Sequence, residues 1–443
     1  MSSIDLSGIV RKILEKGFDE VIVSYNKISR TMVKIANSQP SVAQNWSDIT
    51  IDLYLSKNKK ILVTTLNISS EEEIYREIER LSELLTFFEQ SFIYAPIPEP
   101  DSRARPLSDL VRDQVVRFVE EPREVAEIII NKAHEEGAER IAGTLDGGIR
   151  ERCIATSRGF EACEKGSLFT VYVRAFRGEG SGQWGYGGRD FTVKDLEEAA
   201  VRASYYARES NRTLVDVEPG KYNIILTPLV VGNFLDYITM ALNGLNKILG
   251  TSFFAKNNPG DQIASERLTL IEDPGRTDMI DSTGFDDEGV ATTKKSLIER
   301  GVLRTFLHNT KTASVLETKS TGNAGWIYPR PWNLIIETGD YEESEMIKDV
   351  KRGLLVNNNW YTRYQNVLEG SFSTVTRDAL LVIENGEIRG AARRVRIADR
   401  FPNLLRNIRG VGKKSYKVKW WEVRRSVDIP FILIESVNIT RPS

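Results

Sequence analysis

The chain has 443 residues, 41% hydrophobic and 28% charged, with a formal net charge of -2. That balance belongs to a folded globular protein, excludes a disordered chain, and exerts no global pull toward nucleic acid. At ~150 residues per domain the length predicts about three domains. Cys153 and Cys163 are the only cysteines. Two are too few for a disulfide framework and lack the C-x-x-C spacing, so a reducing compartment is expected.

MSSIDLSGIVRKILEKG reads as an amphipathic helix, because Asp5 and Glu15 interrupt any apolar core a signal peptide would need. No run of about 18 apolar residues occurs, which excludes a spanning helix. DEVIVSYNKIS, TMVKIAN and ITIDLYLS read as strands. Ser69 or Ser70 is placed to cap a helix with Glu72 and Glu73 three residues on, and Ile74, Ile78, Leu81, Leu85 and Phe88 form its apolar stripe. Tyr94 to Asp109 carries four prolines in sixteen residues and reads as a linker.

EVAEIIINKAHEEGAER then predicts a helix, SLFTVYVRAF a strand running into the loop RGEGSGQWGYGG, and DLEEAAVRASYYARES another helix. Pro219 and Gly220 mark the next boundary. Beyond it, segments such as LLVIENGEI, SYKVKWWEV and PFILIESVNIT predict a large antiparallel β domain. Within it, Asn233 is a candidate N-cap for one helix whose apolar positions run from Phe234 to Leu249, with Gly250 as its terminator.

With only His134 and His308 present, histidine chemistry is scarce. His134-Glu135 begins like a zinc-protease motif, but Ala138 and Glu139 stand where the second His is needed, so a solvated helix face is expected. His308 is isolated and reads as a packing or hydrogen-bonding residue. GSGQWG matches G-x-G-x-x-G after a strand, yet no helix opens behind it to receive a pyrophosphate. Asp281, Asp286, Asp287 and Glu288 can hold a hard cation or, as the plainer reading, cap a turn and pair with Arg and Lys. Arg406 to Arg425 is basic and aromatic enough for a nucleic-acid groove. Strand alternation offers the plainer account, with Tyr416, Val418 and Trp420 on one face and Lys417 and Lys419 on the other.

SFFAKNNPGDQIAS, LTLIEDPG, GFDDEGVATTKKSLIERGVLRTFLHNT, KSTGNAG, PWNLIIETGD, KRGLLV, GSFS and LLVIENGEIRGAARRV follow one another in this order. Together they resemble the TldD/PmbA family (modulator of gyrase, zinc peptidases), and the resemblance covers nearly the whole chain. In that family's active branch a helix before the S-x-F segment carries H-E-x-x-x-H, whose histidines bind zinc while the Glu activates water. Counting back from Ser252, those positions fall on Leu235, Asp236 and Met240. The active branch takes a further ligand from a cysteine before its C-terminal strands, and SYKVKWWEVRRSVDIP contains none. The resemblance therefore implies a PmbA/TldE-like subunit with no catalytic, cofactor or metal residues of its own.

The implied fold class is α+β, an N-terminal layered α/β part followed by a large antiparallel β-barrel-like C-terminal domain. The divisions are 1–93, 107–218 and 221–443. The resemblance further implies a cytoplasmic hetero-oligomer with a zinc-bearing TldD-type subunit, a pseudoenzyme chain within a metallopeptidase acting on unfolded or small peptides. Two alternatives remain: an independent metal-dependent hydrolase using Asp286, Asp287 and Glu288, and a nucleic-acid-binding module using residues 406–425.

Overall fold

The computed structural model describes residues 5–67 and 71–441. The first part runs α1 (Leu6–Glu15), β1 (Glu20–Ala36), β2 (Gln39–Lys57), β3 (Lys60–Leu66), α2 (Glu71–Leu85), α3 (Asp113–Glu120), α4 (Pro122–Glu135), β4 (Arg140–Thr156), β5 (Glu161–Arg177), β6 (Gly180–Gly188) and α5 (Val193–Ser210). Its six strands form one antiparallel sheet in the order β3-β2-β1-β4-β5-β6. Strands from both sides of the proline-rich segment thus share a sheet, joined along β1 and β4 from Ile22↔Thr156 to Ile35↔Gly143.

Alternation along these strands buries one face beneath helices. Ile9 and Ile13 of α1 and Ile74, Ile78, Leu81 and Leu85 of α2 pack over Val21, Val23, Leu53 and Leu55. Phe88 lies past the end of α2 and is exposed, and the expected Ser69 or Ser70 cap falls outside the described residues. DEVIVSYNKIS and TMVKIAN are one long strand, β1, rather than two.

Two expectations fail in this part. RGEGSGQWGYGG is not a loop: it turns at Gly178-Glu179 and continues as β6. Its glycines serve close packing, since a Cβ on Gly180 would fall 2.3 Å from the Ala207 carbonyl of α5, and one on Gly182 2.3 Å from that of Ala203. Cys153 and Cys163 are joined by a disulfide. They lie directly opposite in the β4–β5 hairpin, a juxtaposition set by register that cysteine counting does not reveal.

The second part runs β7 (Gly220–Leu226), α6 (Pro228–Ala241), α7 (Gly244–Ile248), β8 (Leu270–Glu272), β9 (Lys295–Glu299), β10 (Val302–Leu303), α8 (Thr310–Val315), β11 (Leu334–Ile336), α9 (Glu343–Lys348), β12 (Arg352–Asn366), β13 (Ser371–Glu384), β14 (Glu387–Ala391), β15 (Arg396–Arg400), α10 (Phe401–Arg406), β16 (Ile408–Trp420) and β17 (Val423–Thr440). They build a large, mostly antiparallel sheet through which β17 runs, pairing with β7, β11, β15 and β16. The fold class is α+β, as expected. Asn385 and Gly386 both have positive φ, as the tight turn between β13 and β14 requires.

Candidate functional site

The helix expected from Asn233 to Gly250 is two helices. Thr227 is the N-cap of α6 and Pro228 occupies its first turn, where a missing N–H costs nothing. The break after Ala241 has a visible cause. Leu242 and Gly244 exchange backbone hydrogen bonds of 2.8 Å each with Leu307, so this stretch leaves the helix to pair with another segment. Gly244 permits the approach, because a Cβ there would lie 2.4 Å from His308 Nδ1.

Asn233 is therefore an interior residue of α6 with a different task. Its Nδ2 donates to the Glu422 carbonyl (2.9 Å), and its Oδ1 accepts from Thr362 Oγ1 (2.6 Å) and Asn359 Nδ2 (2.8 Å). These bonds tie α6 to β12 and to the β16–β17 turn. Tyr237 adds a hydrogen bond from its hydroxyl to the Thr362 carbonyl.

Among the three positions aligned with a zinc motif, Leu235 is 3% exposed and lines an apolar cavity of about 40 Å³ with Phe234, Ile238 and Phe401. Met240 is 45% exposed. Asp236 accepts a 3.0 Å hydrogen bond from the Arg424 backbone N–H. Burial pushes its carboxyl up to about 6, against the opposing pull of that N–H and of the Arg424 and Arg425 charges. One carboxylate between an apolar side chain and a thioether does not fit zinc, which takes N, S and O donors in a tetrahedral set. The adjacent β16–β17 hairpin offers no cysteine.

The acidic turn has its charges met internally. Glu288 accepts from Lys311 Nζ (2.7 Å) and the Thr310 N–H (2.8 Å). Asp287 pairs with Arg152 (2.8 Å) and Arg330 (2.7 Å). Asp286 is wholly buried and accepts from the N–H groups of Glu288, Val290 and Ala324, while burial and the Glu288 charge push its carboxyl up. Asp281 accepts from Lys419 Nζ and the Ser426 N–H. Burial alone would raise Asp281, but Lys419, Arg150 and the Ser426 N–H outweigh it and hold it low. Among the described residues no three His, Cys, Asp or Glu side chains gather as a metal-ligand set.

The lysines of β16 are likewise compensated. Tyr416, Val418 and Trp420 are buried, and each of these lysines has an acidic partner: Lys413 with Glu342 (2.9 Å), Lys414 with Glu198, Lys417 with Asp278 (3.0 Å) and, inside, Lys419 with Asp281 (2.6 Å). Their charge is dispersed over acidic neighbours rather than displayed as one positive groove. His134 is exposed at the end of α4 and contacts the Ala138 carbonyl through Nδ1 at 2.8 Å. His308 is buried, and burial with the Lys247 charge pushes its imidazole down to about 4, leaving it neutral.

Sequence reading missed a cluster of arginines that the fold assembles beside the acidic turn: Arg150, Arg152, Arg189, Arg330 and Arg425. No strand is expected over Arg150 and Arg152 from the sequence; only β4 makes their spacing of two place both on one face.

Comparison with known proteins places this architecture. Residues 219–441 match the PmbA/TldA metallopeptidase C-terminal domain, and residues 114–216 match the central domain. The chain belongs to the PmbA/TldD metallopeptidase family. A metalloprotease of Methanocaldococcus jannaschii is 28% identical over 206 residues, 45% of each chain. Metalloprotease PmbA of Escherichia coli O157:H7 is 28% identical over 240 residues, 52% of this chain and 49% of that one. The chain spans about half the length of the curated relatives it matches. Over 98% of this chain and 99% of the other, the fold superposes on the crystal structure of TldE from Thermococcus kodakarensis, with a TM-score of 0.84 at 22% identity. The α6 helix lies in the part of the chain that matches the family's C-terminal domain.

Proposed function

We propose that the chain is a non-catalytic, PmbA/TldE-like subunit of a TldD/TldE-type zinc metallopeptidase acting on unfolded or small peptides. The observation that carries the proposal is the middle of α6, where a buried Leu235, a half-satisfied Asp236 and an exposed Met240 occupy the positions of the zinc motif. The likeness in fold to TldE supports the same reading. On this account the partner supplies zinc, the attacking water and the general base, and this chain supplies wall and assembly surface.

Exposed apolar side chains support an assembly surface around α6. Met240 lies on the helix, Tyr361 beside Thr362, and Trp421 beside Glu422; they are 45%, 57% and 61% exposed, and α6 is hydrogen-bonded to both neighbours. Large exposed aromatics and Met are the composition of interface cores. A cytoplasmic location goes with the proposal. No helix among the described residues is long and apolar enough to cross a membrane.

Co-expression with a TldD-type paralogue tests the reading. One larger species that cleaves unstructured peptides is expected, with this chain inactive alone. Two separately eluting proteins, the paralogue fully active without this chain, would overturn it.

A further inference from the structure

A partly open, polar cavity of about 110 Å³ lies between the first sheet and the second part of the chain. One water needs only ~10–15 Å³, so the cavity admits a larger polar guest. Its floor is a cross-strand row, Asn26, Arg152 and Glu164, with Arg150 in the next same-face position opposite Gly166. Gly166 is part of the construction: a Cβ there would lie 2.0 Å from Arg189 Nη1, so only glycine leaves room for that guanidinium. Arg330, Trp332 and Arg425 line the cavity from the other side.

Five arginines face two carboxylates in this space, Glu164 and Asp281, and both carboxylates are committed. Glu164 accepts from Thr283 Oγ1 and from the N–H groups of Gly284 and Leu107. Asp281 hydrogen-bonds Lys419 and the Ser426 N–H, while its charge also acts at longer range on Arg150 and Arg425. Among the cations, Arg152 and Arg330 share Asp287, and Arg189 is spent on Ser282 and the Ser167 carbonyl. The side chains of Arg150 and Arg425 form no ion pair or hydrogen bond with any described residue, and Arg330 Nε is buried without a partner.

Guanidinium groups gathered in a half-buried space repel one another and favour a guest with acceptor oxygens. Burial pushes the Arg425 guanidinium down against the pull of Asp281, with Arg330 adding to the fall, and burial with Arg150 pushes Arg189 down to about 10. A metal cation would add to this repulsion, and a nucleic-acid strand exceeds the volume. A carboxylate or phosphate group instead presents oxygens to forked N–H donors.

We propose that this cavity is a binding site for a small oxyanion, a carboxylate or phosphate group, held by Arg150, Arg425 and Arg330 Nε across the junction of the two parts of the chain. The site is independent of the subunit reading, since it needs neither zinc nor a partner.

Thermal unfolding of the full chain is followed against inorganic phosphate at constant ionic strength set with chloride, and against a short peptide with a free C-terminal carboxylate beside its amidated twin. A ligand that binds only the folded state raises the midpoint with concentration. The expected result is a saturable rise with phosphate, with the free-acid peptide but not the amide, or with both; the arm that responds at lower concentration identifies the source of the group. Arg150→Gln and Arg425→Gln should each weaken the response at least tenfold, while Arg409→Gln, at the surface pair with Glu435, should leave it unchanged. Isothermal titration of the unaltered chain with phosphate gives the same answer should either variant fold poorly. No saturable effect in any arm, or equal responses in the cavity variants and the parent, would overturn the proposal.

Discussion

The acidic turn at residues 286–288 and the arginine cavity share Arg152, yet their charges are treated in opposite ways. In the turn each carboxylate is met from within: Lys311 on Glu288, Arg152 and Arg330 on Asp287, three N–H groups on Asp286. In the cavity the Arg150 and Arg425 guanidinium groups make no direct ion pair or hydrogen bond with a described residue and feel only the more distant charge of Asp281. A run of acidic letters drew attention in the sequence, but partners and burial decide that it is structural. The cavity, built from residues scattered between 26 and 425, drew none.

The largest test of this contrast is the Lys311–Glu288 pair, whose side chains are 1% and 0% exposed. Lys311→Met would leave a buried carboxylate with only the Thr310 N–H, and a loss of about 3–5 kcal/mol in denaturant unfolding is expected. Adding Glu288→Gln should recover a substantial part of it, which a double-mutant cycle measures. A loss below ~1 kcal/mol for the single change would show that the turn does not depend on its internal cation.

Asp236 sharpens the comparison, being a carboxylate that bonds a backbone N–H and no cation. Its folded-state carboxyl titrates near 6, above the usual carboxylate range, so the folded state holds its proton where the unfolded state has released it. Stability from this group is full below about pH 4 and is lost as pH rises through 6. Asp236→Asn should therefore be more stable than the parent by about 2 kcal/mol at pH 8, with the difference vanishing near pH 4. A gain that does not change with pH would mean that Asp236 is not perturbed.

The smallest effect is expected on the basic strand. Lys413→Ser and Lys414→Ser remove exposed pairs and should each cost under ~0.5 kcal/mol, with any DNA binding weak before and after. Lys419 does not belong in that set, because it holds Asp281 at the cavity wall. Specific DNA binding at physiological salt that disappears in the double variant would restore the nucleic-acid reading.

Local pattern carried much of the fold. Alternation located the strand from Tyr416 to Trp420, and 3.6-residue spacing located α2, α4 and α5. Long-range pairing was hidden. The helix from Phe234 to Leu249 reads as continuous by periodicity, and only the contact with Leu307 breaks it. GSGQWG reads as a loop until α5 lies across its glycines. The Cys153–Cys163 bond and the arginine cavity likewise depend on which strands become neighbours. At the candidate site, chain order and motif named Leu235, Asp236 and Met240, but not the Arg424 N–H that engages Asp236 or the Asn233 network that anchors the helix.

The central claim is that α6 keeps the form of a metallopeptidase helix without its metal chemistry. Elemental analysis of the purified chain after exhaustive dialysis tests this most directly. The account predicts zinc far below one equivalent per chain, because neither the Leu235–Met240 stretch nor the β16–β17 hairpin supplies a His or Cys donor. Zinc retained near one equivalent, and lost on Asp236→Ala, would contradict it.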